Sequence, residues 1–223
     1  SKGKLVKTYS AKTNTNGLGS GNTNGLAAGT YKVVITTSNK YYAVSKTVSS
    51  GIVMQKQKTI VNAPPVTKIC GKSGYFTVNV TKADGGKAIS GLTVSLKLYN
   101  SKGKLVKTYS VKTDSKGIAS LSTKSLAAGT YKVVISSTNS YYAVSKSVSN
   151  AIVMTKYKTI VNAPAITASY NKKAYFKVNV TRADTNSSVS SLPLTVKVYN
   201  SKNKLVKTYS TKTATNGVAS INV

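Results

Sequence analysis

The decapeptide SKGKLVKTYS stands at residues 1–10, returns unchanged at 101–110, and appears with one substitution at 201–210. The same step of 100 residues relates LAAGTYKVVI at Leu26 and Leu126, YYAVSK at Tyr41 and Tyr141, KTIVNAP at Lys58 and Lys158, and the segments that open on Tyr75 and Tyr175. No gap is needed to align the copies. A fixed period means one folded unit used more than once. A unit of this length can own a hydrophobic core, so tandem domains are expected rather than short stacked solenoid repeats.

Residues 1–64 match 101–164, and residues 65–123 match 165–223. These matches set the expected boundaries: 1–64 is the C-terminal part of a repeat, 65–164 a complete repeat, and 165–223 the N-terminal part of another. The chain therefore reads as a window onto a longer repeat protein.

Within the complete repeat the apolar period is two, the signature of strands with one dry and one wet face. Phe76, Val78 and Val80 alternate with Thr77, Asn79 and Thr81, and Leu92, Val94, Leu96 and Leu98 alternate with Thr93, Ser95, Lys97 and Tyr99. Turn signals separate the runs, at Asp84-Gly85-Gly86, Lys102-Gly103, Lys116-Gly117 and Ala128-Gly129. Seven strands are expected, near 66–70, 75–83, 92–99, 105–112, 117–123, 130–137 and 141–156, the last with an irregularity inside it. Short strands at regular spacing with no helical stretch predict an all-β sandwich. Tyr131 stands at the start of the sixth strand, where such sandwiches place either a tyrosine that ties down the preceding corner or a plain core tyrosine. No Gly- or Ser-rich linker lies between Ala143 and Pro164, which favours a stiff junction over loose beads.

Strand five carries inward Leu121 in the second copy and Ile221 in the third, but Gly21 in the first. Losing such a core side chain costs about 2–5 kcal/mol unless something else fills the space. Either the first copy tolerates a weak strand or another chain completes it.

Composition bounds the chemistry. Lys and Arg number 33 against 3 Asp and Glu, a net charge of +30, with Arg182 the only arginine and no glutamate or histidine. That balance points to an anionic partner, or to lysines that keep strand faces and edges soluble. Without histidine or glutamate, and with aspartate only at positions 84, 114 and 184, neither paired carboxylates nor a nucleophile with its base can be assembled. No catalytic residue, cofactor site or metal site is expected. Cys70 is single, and its repeat equivalent is Tyr170, so it forms no disulfide within the chain. Asn79, Asn179 and Asn186 open Asn-x-Ser/Thr sequons and are candidate glycosylation sites. Lysines spread over many strands, with a single arginine, do not make a specific nucleic-acid site. They could grip an acidic polysaccharide, with Tyr99 and Tyr199 stacking on sugar rings and Lys97 and Lys197 beside them. No apolar run is long enough for a membrane helix, so membrane contact is expected only through an anchor outside the given residues.

The order of KTIVNAPAITASY, YFKVNVTRAD, LTVKVYN, a Thr-x-x-x-Gly-x-Ala turn (Thr113 to Ala119, Thr213 to Ala219), LAAGTYKVVI and YYAVSK resembles the Ig-like repeats of adhesin-like surface proteins of methanogenic archaea. Related bacterial Ig-like surface repeats share the aromatic of the AGTY step and the YYA element. The resemblance covers nearly the whole chain. It implies tandem Ig-like β-sandwich domains of about seven antiparallel strands in an extracellular, cell-surface stalk or fibre, with no fixed binding residues to carry over. The lysine excess and the absence of glutamate depart from that pattern. A non-catalytic structural segment of an adhesin, stalk or filament is the expected function, its partners being neighbouring copies of the same repeat or chain, joined head to tail by strand complementation. A basic module binding anionic glycans is the alternative.

Overall fold

A computed structural model describes residues 3–223. It contains strands, turns and bends and no helix among those residues. In chain order the strands are β1 (Gly29–Thr36), β2 (Ser45–Met54), β3 (Gln57–Asn62), β4 (Val66–Ile69), β5 (Tyr75–Lys82), β6 (Thr93–Tyr99), β7 (Leu105–Lys112), β8 (Ile118–Ser122), β9 (Gly129–Ser136), β10 (Tyr142–Ala143), β11 (Ser145–Thr155), β12 (Thr159–Asn162), β13 (Tyr175–Arg182), β14 (Pro193–Tyr199), β15 (Leu205–Lys212) and β16 (Val218–Asn222). The seven strands expected between 66 and 156 are β4 to β11, and the expected irregularity is the break at Val144 that separates β10 from β11.

The strands form a four-stranded sheet in the order β10-β3-β5-β8 and a five-stranded sheet in the order β4-β11-β9-β6-β7, with smaller sheets β1-β2, β12-β13-β16 and β14-β15. With β3 as the first strand, β3 beside β5, β5 beside β8 and β6 beside β9 is the connectivity of an Ig-like sandwich. Gln57–Asn62 pairs antiparallel with β5, Thr59 opposite Lys82 and Asn62 opposite Asn79, so the sheet opens eight residues ahead of Pro65. KTIVNAP is the first strand of the repeat on its C-terminal side, because its backbone donors and acceptors are met by β5.

The chain divides into two compact units: the first takes the chain to Val66 together with Tyr75–Leu121 and Tyr131–Ala151, the second takes Thr67–Gly74, Ser122–Thr130 and Ile152–Val223. In the first unit Phe76, Val78 and Val80 of β5, Val94, Leu96 and Leu98 of β6, and Val133 and Ile135 of β9 are fully buried. These are the inward residues of the sequence alternation. Ala119 and Leu121 of β8 join them. In the second unit Val178 and Val180 of β13 and Ala219 and Ile221 of β16 are buried.

The Thr-x-x-x-Gly-x-Ala turn has a physical account that its spacing did not disclose. The Thr113 hydroxyl accepts the Leu92 N–H at 2.9 Å and donates to the Ile89 carbonyl at 2.6 Å, clasping the loop before β6 to the end of β7. Thr113 is 4 % exposed, so this polar group is buried with its bonds made. Gly117 has φ +77° and passes so close to β5 that a Cβ would lie 2.6 Å from the Val80 carbonyl oxygen. Ala219 repeats the small buried residue at the end of the turn, and Thr213 and Gly217 repeat the clasp and the close approach.

A contrasting turn explains the one substitution in the decapeptide. Gly103 has φ +74° with open space around its Cβ position, and its counterpart Asn203 has φ 58°. Asparagine is the side chain that best tolerates the left-handed region, and nothing there obstructs it.

Gly117→Ala should therefore lower stability by more than about 1 kcal/mol, since it meets both a left-handed backbone and a carbonyl. Gly103→Asn should change stability by less than about 0.5 kcal/mol. Denaturant unfolding of the two variants decides, and equal effects would refute the account.

Candidate interaction surfaces

Lys97 and Tyr99 fall on one face of β6, two residues apart, and Lys197 and Tyr199 repeat the arrangement on β14. Both lysines are exposed. The tyrosines differ. Tyr199 is 52 % exposed, whereas Tyr99 is half-buried and does not present a free ring. β6 lies between β7 and β9, and β14 has only β15 beside it. The expected exposure of Tyr99 is thus corrected by the neighbouring strand: Tyr99 stands opposite Lys132 of β9.

A second lysine and tyrosine pairing escaped the sequence reading. Lys107 sits 4.9 Å from the ring centre of Tyr109, Lys207 4.7 Å from Tyr209, and Lys7 5.0 Å from Tyr9. Residues i and i+2 of a strand share a face, so Lys-Thr-Tyr was the available signal. β7 is the edge of its sheet. There the ammonium over the ring is a cation–π contact that also keeps a charge on an edge.

The sequons divide. Asn186 is exposed, in a turn at φ 54°. Asn79 and Asn179 are half-buried, and their Oδ1 atoms are buried and lack a hydrogen-bond partner. A Cβ on Gly117 would come within 3.2 Å of Asn79 Oδ1, and one on Gly217 within 3.3 Å of Asn179 Oδ1. The turns before β8 and β16 pass over these two carboxamides, so alternation alone assigned them a wetter place than they occupy.

Among the described residues no three His, Cys, Asp or Glu side chains gather as a metal site. Cys70 is half-buried, its N–H bonded to the Thr155 carbonyl. A cluster of opposite charges lies at Arg182. Its guanidinium donates to both carboxylate oxygens of Asp184, at 3.0 and 2.6 Å, and stacks 4.0 Å from the ring centre of Tyr157. Tyr157, Lys158, Ala183 and Asp184, with Ile69, Thr155 and Lys156, line an open cavity of about 370 Å³. The hydrogen bonds from Arg182 hold the Asp184 carboxyl below the usual carboxylate range, and Asp184 raises Arg182 in return.

A family model described as the phage tail tube protein C-terminal domain matches residues 75–155, which run from the start of β5 to the end of β11. No curated protein matches the chain. Among solved structures the chain is similar to the Yersinia pseudotuberculosis adhesin InvE, with 15% identity and a TM-score of 0.34, over 74% of this chain and 50% of that one. It is similar to the native conformation of E. coli alpha-2-macroglobulin, with 10% identity and a TM-score of 0.31, over 75% of this chain and 12% of that one. It is similar also to the titin domains z1z2 in complex with telethonin, with 11% identity and a TM-score of 0.31, over 76% of this chain and 82% of that one. The chain spans about half the length of the adhesin and about an eighth of the macroglobulin.

The Arg182 pair sets a pH dependence. A carboxyl with a lowered folded pKa contributes stability above the unfolded value of about 3.9 and loses it as pH falls through the folded value. The group is exposed, so the contribution is small. Arg182→Gln should raise the Asp184 pKa toward that ordinary value in an NMR titration. An unchanged titration would show that the pair does not persist in solution.

Proposed function

We propose that the chain is a non-catalytic structural segment of an extracellular surface protein, a stalk, adhesin shaft or filament made of Ig-like sandwiches in series. The observation that carries this reading is the length of the connections. Only Lys156, Tyr157 and Lys158 separate β11 from β12, and only Gln55 and Lys56 separate β2 from β3. A last strand that runs almost directly into the first strand of the next repeat leaves little freedom for the joint, unlike a Gly- or Ser-rich tether. Such a series works mechanically, by holding something at a distance.

Three further points support it. The chain offers no acid and base pair for catalysis. Residues 75–155 match a domain described as part of a tube protein, which is a structural role in that family's name. The motif order from KTIVNAP to YYAVSK resembles repeats of methanogen adhesin-like proteins, which favours an archaeal cell-surface origin. Partners would be further copies of the same repeat, with membrane contact only through an anchor elsewhere. Specific nucleic-acid binding is not part of the proposal, since one arginine and dispersed lysines lack the bidentate groups that read bases.

The net charge of +30 favours a second reading, a module that grips anionic glycans through Lys97, Lys197 and Tyr199. Attraction of this kind weakens steeply with salt. Electron microscopy of the native material at two ionic strengths separates the readings. Filaments with an axial repeat of about 30–40 Å at both strengths are expected, one strand length per domain. Single rods that collect only on acidic polymers, and only at low salt, would overturn the structural reading in favour of the second.

A further inference from the structure

Packing accounts for the inner side of β6, β7 and β9 in the complete repeat and says nothing of the outer side. Val94, Leu96 and Leu98 are fully buried, so Thr93, Ser95, Lys97 and Tyr99 of β6 fall on the outer face. The register names their neighbours there. Thr93 stands opposite Lys112 of β7, and Ser95 stands between Ser110 of β7 and Ser136 of β9. Lys97 stands opposite Thr108 and Val134, and Tyr99 opposite Lys132. Ser137 Oγ donates to the Thr93 carbonyl at 2.7 Å, which holds the end of β9 against β6. A row of serines thus crosses three adjacent strands, with Lys112 to one side of it and Lys97 and Lys132 to the other. The three lysines are exposed.

No acid answers them on this face, since the only acidic residues, Asp84, Asp114 and Asp184, lie outside all three strands. The copies also treat the two sides of these strands differently. Inward Val94, Leu96 and Leu98 become Leu194, Val196 and Val198, whereas outward Lys97 and Lys112 recur as Lys197 and Lys212, and Lys132 as Lys32. Ser110 recurs as Ser210, while Ser95 and Ser136 exchange for Thr195 and Thr36 and keep their hydroxyls. A side that had only to be wet is free to vary, yet here the core side varies and the wet side keeps its chemistry.

We propose that the outer face of β7, β6 and β9 binds an extended chain of uronic acids. Charge complementarity selects the occupant: the ammonium groups meet carboxylates, and the serine hydroxyls both donate to and accept from sugar hydroxyls. The lysines span about 20 Å along the strands and about 10 Å across them, a flat site for about four pyranose rings. Tyr99 is half-buried, so the rings rest on hydroxyls and ammonium groups rather than stack on an aromatic. A phosphate polymer fits less well, because the face has no arginine to take phosphate oxygens in pairs.

The test is lysine acetylation footprinting of the full chain at low salt, read by peptide mass spectrometry, with polygalacturonate as the probe. Lys97, Lys112 and Lys132 should be protected, and Lys87, Lys116 and Lys124, exposed lysines in loops of the same repeat, should not. Replacing the first three by Gln should weaken binding about tenfold, and replacing the second three, an equal loss of charge, less than about twofold. Even protection of all six lysines, or equal weakening by the two triple variants, overturns the proposal. Protection by polyphosphate that polygalacturonate does not give overturns it too. The inference rests on the second reading, a grip on anionic glycans, and adds where that grip lies; a filament can carry the face as well as a single rod. Salt-sensitive binding with even protection would sink the face and leave that reading standing, whereas no binding to polygalacturonate or heparin at low salt would sink both.

Discussion

The backbone polar groups of a strand must be met by a neighbour, and in this chain that requirement decides what the same residues become. Leu105–Lys112 is a strand beside β6, and Leu205–Lys212 is a strand beside β14. Residues 5–10 carry the same LVKTYS and belong to no strand, and no strand pairs with them among the described residues. Leu5 is 77 % exposed against 46 % for Leu105. Local propensity is identical in the three places, so the difference lies wholly in pairing and in the surface a partner covers. The Thr113 clasp obeys the same rule: its hydroxyl bonds to the loop before β6 and is buried, whereas Thr13 is exposed.

Electrostatics has little part in holding the fold together. With 3 acidic residues among 33 basic ones, most lysines have no carboxylate to meet. They stand instead on wet faces and on edge strands such as β7, where a charge discourages pairing with a stray edge and salt screens mutual repulsion. What remains is burial of alternating Val, Leu and Ile and the completed ladder. Added salt should therefore leave the sandwich intact, which is why ionic strength can separate a structural role from a role for the charge itself.

Alternation of period two made β5, β6 and β9 legible, because each has one face against a core and one in water. β3 was harder to read: Ile60 is 54 % exposed and the segment runs into Pro64-Pro65, so its inward face does not show in the sequence. The surface residues were less legible for a related reason. Lys97 and Lys197 are outward by phase and are exposed. Tyr99 shares that phase, yet β9 on the second side of β6 leaves it half-buried. For Asn79 and Asn179 the determining feature is a glycine turn about 40 residues away that closes over them. Period describes a strand alone, and accessibility belongs to its neighbours.

The pattern of change between copies separates drift from design. Val94, Leu96 and Leu98 on β6 become Leu194, Val196 and Val198 on β14, an exchange of similar apolar volume that a core tolerates with modest repacking. Leu121 becomes Ile221, again of similar volume. In the first copy the same strand loses both inward side chains, Ala119 to Gly19 and Leu121 to Gly21, and a Cβ at Gly21 would meet only ordinary contacts, 3.8 Å from Tyr9. No steric demand calls for glycine there. The position keeps its volume at Leu121 and Ile221, where the strand is paired, and gives it up at Gly21, where the described residues form no strand.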